Sequence, residues 1–273
     1  ALYTREEMKR YVVLNKERGE TPLHALRSFK KSHREYEGIP ASYAGRLDPM
    51  ASGKLLVLFG DECKKQKNYT NLDKEYEIEV LFDIGSDTGD VLGLVEYSGK
   101  ETSTQHMSSL ARILQEEKGT HLRKYPAFSS KTVNGKPLFL YSLEGTITHI
   151  QIPEHKERVY SISNQGTTSI TAQTLQARIQ AFLTDVPHSD EPSKQLGADF
   201  RIQKVQASWQ CLFREASLRE FTIVTLRVTC GSGTYMRSLA GRIGEALGTK
   251  ALAVSIRRTK IGKYWRGLWL WQY

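Results

Sequence analysis

Residues 43–53 read Tyr43-Ala44-Gly45-Arg46-Leu47-Asp48-Pro49-Met50-Ala51-Ser52-Gly53 and continue, through Lys54, into Leu55-Leu56-Val57-Leu58-Phe59. Five consecutive apolar residues bounded by turn formers read as a strand buried on both faces, since neither face alternates with water-facing residues. The turn formers start at Gly38, so a loop over Gly38 to Gly53 is expected to feed that strand. Loops mounted on a core strand are where chains commonly place chemistry.

Upstream, Thr4 and Glu7 have capping-box spacing for a short helix, Val12 to Leu14 reads as a brief strand, and Pro22 to Lys30 as a second helix. Downstream, Glu75 to Phe82 alternates with Tyr76, Ile78, Val80 and Phe82 on one face, which predicts a half-buried strand. Asp83 to Gly93 breaks that pattern. Ser103 to Lys118 and Thr171 to Thr184 carry apolar residues at helical spacing, and Asp185 to Asp199, polar with two prolines, reads as an exposed loop. Phe221 to Cys230 is a second clear strand. It enters Gly231-Ser232-Gly233 and a helix from Thr234 to about Leu247, a turn whose free N–H groups suit an anion. Strands and helices interleave without βαβ regularity, which predicts an α+β fold.

The chain of 273 residues has a net charge of +9 and a mean hydropathy of −0.46. No apolar run approaches the roughly 20 residues of a membrane helix. With three scattered cysteines a disulfide framework is not expected, and a reducing cytoplasm is the expected address. The basic excess is local: residues 201–273 hold 13 Lys plus Arg against 3 Asp plus Glu, and the other 200 residues are close to neutral. Cations interleaved with aromatics from Arg257 to Arg266 suit a phosphate backbone, whose counterions they release.

Several familiar patterns fail. Gly53-Lys54 and Gly99-Lys100 lack the rest of a phosphate-binding loop, and Gly231-x-Gly233 has Met236 where a dinucleotide site needs its third glycine. The seven histidines have no metal-ligand spacing, and Asp83 to Gly93 has Gly85 and Leu94 where a calcium loop needs oxygens, so no metal is expected. Asp87-Thr88-Gly89 matches the local motif of aspartic proteases, but only one copy exists, and two carboxylates must share the proton.

Four segments, in order, resemble the TruB-type pseudouridine synthases, which form pseudouridine-55 in the T-arm of tRNA. The Gly45 to Gly53 loop is similar to their catalytic loop, Gly-x-Leu-Asp-Pro-x-Ala-Thr/Ser-Gly. Lys74-x-Tyr76, leading to Ser86-Asp87-Thr88-x-Asp90-x-x-Gly93, resembles their tyrosine strand and Asp-Thr-x-Asp segment. Tyr125-Pro126-Ala127-Phe128-Ser129-Ser130-Lys131 fits their Pro-x-x-Ser-Ala-x-Lys stretch. Cys230 to Arg237 resembles Cys-x-x-Gly-Thr-Tyr-Ile-Arg and is joined by Ile256-Arg257-Arg258.

The resemblance implies a pseudouridine synthase fold with a central mixed, mainly antiparallel sheet, and one catalytic domain over residues 1–273. It implies uridine isomerisation in tRNA with no cofactor, by a monomer without an obligatory protein partner. Asp48 is then the catalytic carboxylate, a group that can attack, leave again and stay ionised. The flipped uracil needs an aromatic face, assigned to Tyr76, whose phenol is also expected to handle the C5 proton. Arg237 is expected to pair with Asp48, keep it ionised and orient it. Tyr43, Arg46, Asp90, Lys131, Ile256, Arg257 and Arg258 are the expected substrate-binding set.

The sequence also departs from that family. Tyr43 stands where histidine is usual, and Arg46-Leu47-Asp48 is closer to the RluA-type synthases. An RluA-like target, or an RNA-binding or RNA-folding protein without chemistry, is therefore the alternative reading. Residues 163–205 read as an inserted or divergent segment, and the chain is expected to lack a C-terminal PUA-like RNA-binding domain.

Overall fold

A computed structural model describes residues 9–99, 107–184 and 201–273. The helix expected from Thr4 and the loop expected over Asp185 to Asp199 lie outside these residues, as does the start of the helix expected from Ser103.

The strands are β1 (Tyr11–Lys16), β2 (Ala41–Ala44), β3 (Ala51–Phe59), β4 (Asp73–Phe82), β5 (Ile84–Ser86), β6 (Val95–Tyr97), β7 (Gly119–Lys124), β8 (Thr132–Val133), β9 (Lys136–Pro137), β10 (Glu154–Thr171), β11 (Glu220–Cys230), β12 (Ala251–Trp265) and β13 (Leu268–Gln272). The helices are α1 (Pro22–Ser32), α2 (Gln66–Thr70), α3 (Leu110–Glu116), α4 (Leu138–Leu143), α5 (Ala172–Thr184), α6 (Ile202–Glu215) and α7 (Met236–Ala246). Nine strands form one sheet in the order β1-β3-β12-β4-β11-β10-β7, with β2 on β3 and β13 on β12. Every pairing in it is antiparallel except β3 with β12. The fold is α+β with a mixed sheet, as expected.

Leu55 to Phe59 are buried on both faces of the sheet. Leu55, Val57 and Phe59 join the main core with α1 and Tyr36, while Leu56 and Leu58 pack with Ala44 and Ile261 on the other side. That two-sided burial is why the run does not alternate. β4 alternates only at its centre: Ile78 and Val80 are buried completely, while on the opposite face Glu77 and Glu79 are partly exposed and Glu79 is paired by Arg178 of α5. Its two ends, Asp73 to Glu75 and Leu81 to Phe82, are buried on both faces, so the strand is more than half-buried. The parallel stretch sets Ile256, Arg257 and Arg258 against Ala51, Ser52 and Gly53. At Gly53 φ is +100°, and a Cβ would lie 2.3 Å from the Arg258 carbonyl oxygen, so only glycine permits this approach.

Residues 163–171, read as the start of a divergent segment, continue β10 and pair with Arg227 back to Glu220 of β11, with a register shift between Asn164 and Gly166. Ser, Thr, Asn and Gln at both alternating positions hide that strand from a hydrophobic pattern. The expected loop before Asp48 contains β2, and the tail ends as the β12–β13 hairpin, which leaves Trp265, Leu268, Leu270 and Trp271 exposed. Among the described residues no helix is long and apolar enough to cross a membrane.

Candidate functional site

A cleft of about 760 Å³ opens between the Asp48 loop, β4, β12, the Thr88–Asp90 turn, the Phe128–Ser130 segment and the start of α7. Within it, Arg237 donates from Nε to Asp48 Oδ2 at 2.7 Å, from Nη1 to the Thr88 carbonyl at 2.6 Å and from Nη2 to the Phe128 carbonyl at 3.0 Å. The Arg237 side chain is 5% exposed and that of Asp48 is 44% exposed, so the arginine is fixed in the wall while the carboxylate faces the open cleft. Asp90 Oδ2 lies 3.6 Å from Arg237 Nε, and its other oxygen accepts from the Thr88 hydroxyl and the Leu92 amide. Burial raises the Asp90 carboxyl above its ordinary range, against the pull of Arg237. Burial alone would lower Arg237, but the Asp48 and Asp90 charges outweigh it and raise it, so the guanidinium stays charged.

Backbone contacts place these groups. The Asp48 carbonyl accepts from the Ala51 amide, which closes the turn into β3. Gly19 N–H donates to the Pro49 carbonyl at 2.9 Å. Gly89 has φ +76°, and its missing Cβ lets the turn lie against the Arg237 backbone. Its carbonyl accepts from the Ala253 amide of β12.

Two buried cations brace the Asp48 loop. Arg258, 1% exposed, donates to the Lys54 carbonyl at 2.7 Å and the Gly45 carbonyl at 3.1 Å. Lys16, fully buried, donates to the carbonyls of Glu17 at 2.8 Å, Glu20 at 2.7 Å and Pro49 at 3.4 Å. Burial lowers Lys16 to about 8, and burial with the Arg258 charge lowers Lys74, which lines the cleft, to about 8. Sequence reasoning missed Lys16. Its one signal was a lysine closing an apolar strand, which is weak.

The structure brings Tyr43, Arg46, Asp48, Tyr76, Asp90, Arg237, Ile256 and Arg258 to one cleft. Tyr76 stands on β4 opposite Arg258, and burial raises its phenol above the ordinary value, in part against the Arg258 charge. Two expected residues are not part of the cleft lining. Arg257 is exposed on β12 between Ile256 and Arg258, a position that strand alternation turns to the other face of the sheet. Lys131 lies 5.1 Å over the Tyr125 ring, which stacks on His155. The Arg258 guanidinium, expected to meet phosphate, is instead spent on backbone carbonyls. The glycine turn lines the cleft, but Tyr235 N–H, just before α7, donates to Glu157, so the protein supplies an anion there itself. Asp87 is held by Arg201 at 2.6 and 3.0 Å, which leaves it no part in a proton-sharing carboxylate pair. Among the described residues no three His, Cys, Asp or Glu side chains are grouped to hold a metal ion.

A family model described as TruB family pseudouridylate synthase (N terminal domain) matches residues 34–181, more than half of the chain. The chain belongs to the TruB family. Proteins named tRNA pseudouridine synthase B from Burkholderia mallei and Caldicellulosiruptor saccharolyticus are each 28% identical to it, over 85% and 81% of this chain. The aligned stretch is 58% of either relative, so the chain spans less than two thirds of the curated TruB-type proteins it matches. A solved Cbf5-Nop10-Gar1 complex contains a chain of the same fold, with a TM-score of 0.52 and 18% identity over 92% of this chain and 48% of that one. The TruB match runs through residue 181, so β10 and most of α5 belong to the family's own region. The described residue from the supposed divergent segment that reaches the cleft is Arg201.

Proposed function

We propose that this chain isomerises uridine to pseudouridine in RNA, with the T-arm of tRNA as substrate and Asp48 as the catalytic residue. The observation that carries the proposal is the Arg237–Asp48 pair: a half-exposed carboxylate, oriented by a buried arginine, in a cleft large enough for a nucleoside. The reaction breaks N1–C1′, joins C1′ to C5, and moves a proton from C5 to N1, so it needs no oxidant and no external group. Asp48 accepts and releases the substrate covalently or takes a proton from it; the 2.7 Å bond from Arg237 holds one of its oxygens and leaves the other to react.

Tyr76 offers the aromatic face for the extruded base, and Ile256 packs beside it in the cleft. Tyr43 supplies a second ring at the entrance, and Arg46, exposed at the rim, meets the RNA backbone. The exposed Trp265 and Trp271 with Lys263 and Arg266 on the β12–β13 hairpin extend that grip away from the cleft. The names of the curated relatives, tRNA pseudouridine synthase B, support tRNA as the substrate class.

The test is to incubate a T-arm stem-loop and an unrelated hairpin with the protein, and to map pseudouridine by carbodiimide adducts that stop reverse transcription. A stop at one T-loop uridine only is expected. Modification of both RNAs, or of neither, would overturn the substrate assignment.

A further inference from the structure

We propose that Arg201, at the head of α6, is a positioning residue for Arg237 and Asp48, and that α6 is a buttress of the Asp90 turn. For its kinetic test the inference rests on the pseudouridine synthase reading; for its structural test it does not.

Arg201 forms a two-pronged ion pair with Asp87, Nη1 to Oδ2 at 2.6 Å and Nη2 to Oδ1 at 3.0 Å, and its guanidinium lies 4.7 Å over the Phe128 ring. Asp87 immediately precedes Thr88, and the carbonyls of Thr88 and Phe128 are the two backbone acceptors that orient Arg237. The same two segments are thus gripped twice, by Arg237 buried within the wall and by Arg201, which also borders the cleft. The Arg201 and Asp87 side chains are 18% and 33% exposed, so the pair is partly sheltered and its weight here is in its two-pronged geometry. A planar guanidinium can grip both oxygens of a carboxylate through its fork while its face lies on an aromatic ring, a two-pronged geometry that one ammonium nitrogen does not reproduce.

The rest of α6 acts on the same turn. Trp209, 2% exposed, donates from Nε1 to the Val91 carbonyl at 3.1 Å, and the Ser208 hydroxyl accepts from the Val95 amide at 3.3 Å. On its other side the turn is bonded to β12 through Gly89 and Ala253. The turn that carries Asp90 is therefore clamped between α6 and the sheet. Arg201 itself has φ +53°, a left-handed conformation that a non-glycine residue adopts at a cost.

The experiment compares wild type with Arg201→Ala, Arg201→Lys, Asp87→Ala and the Arg201→Ala/Asp87→Ala double variant. Without RNA, amide exchange is followed at Leu138 and Phe139, whose N–H groups donate to the Lys131 and Ser129 carbonyls beside Phe128. Faster exchange at both in Arg201→Ala, with the amides of central β4 unchanged, is expected; unchanged protection would overturn the proposal whatever the protein's reaction. With saturating T-arm stem-loop, the single-turnover rate is expected to fall roughly tenfold to a hundredfold, the usual cost of a small misplacement. RNA affinity should stay near wild type, Arg201→Lys should recover only part of the rate, and the double variant should be no slower than either single one. A loss of RNA affinity with an unchanged saturated rate would make Arg201 a phosphate contact and refute the positioning role. If the wild type turns over no RNA, the reading of function fails while the exchange arm still decides this one.

Discussion

Arg237 and Asp48, 189 residues apart in sequence, meet through a 2.7 Å bond from Nε to Oδ2. The remaining two nitrogens of the same guanidinium are fixed by the Thr88 and Phe128 carbonyls. The arginine therefore sets the direction of the carboxylate as well as balancing its charge.

Arg237→Ala should cost about 3 to 5 kcal/mol of stability, because it leaves the buried Asp90 and two carbonyls without their partner. Arg237→Lys keeps the charge but cannot reach three directions from one nitrogen. The lysine variant is expected to fold, with a thermal midpoint closer to wild type, and to turn over at least about a hundredfold more slowly. Thermal melts beside single-turnover rates check both outcomes.

How much of this was legible beforehand depends on what each residue had to show. Tyr76 and its neighbours on β4 announced themselves by alternation, and the Leu55 to Phe59 run by its bare hydrophobicity. β10 did not, because its residues are polar on both faces over most of its length. Helix α6 carries a readable stripe of Val205, Trp209, Leu212 and Phe213, yet lay in a stretch without a family motif and went unread. Asp48, Tyr76 and Arg237 stood out through local motifs. Lys16, Arg201 and the true task of Arg258 depend on which carbonyls and carboxylates come near in space, and no local pattern encodes that.

Lys16→Met should destabilise the fold by about 3 kcal/mol, since three carbonyls lose a charged donor. The folded pKa of about 8 at Lys16 and at Lys74 lies below the ordinary 10.5, so between those values the unfolded chain binds more protons. The contribution of these lysines to stability accordingly rises with pH across that window. At pH 9, unfolding should take up about one proton fewer in Lys16→Met than in wild type, and likewise in Lys74→Met. Calorimetry in buffers of different ionisation enthalpy measures the difference.

Gly53→Ala should cost about 3 kcal/mol or more, because the added methyl would sit 2.3 Å from the Arg258 carbonyl oxygen at a positive φ. The strands β3 and β12 must then separate where they hold the Asp48 loop. Chemical denaturation, compared with Gly38→Ala, where φ is also positive but nothing lies within 4 Å, isolates the steric part.

Arg46→Gln should weaken RNA binding and reduce the slope of log affinity against log salt by about 0.7 to 0.9 if one phosphate contact is lost. Arg258→Gln should instead unfold the Asp48 loop, since its guanidinium is buried on two carbonyls. Salt titrations of a labelled T-arm stem-loop separate the two arginines, and an unchanged slope in Arg46→Gln would remove it from the RNA contact.

The central claim is that Asp48 carries the chemistry of uridine isomerisation. Tritium release from 5-tritiated uridine in a T-arm stem-loop tests it most directly, with wild type and Asp48→Asn side by side at matched RNA occupancy. Release by wild type and none by Asp48→Asn, with RNA affinity nearly unchanged, is the predicted result. Release that persists in Asp48→Asn would contradict the account.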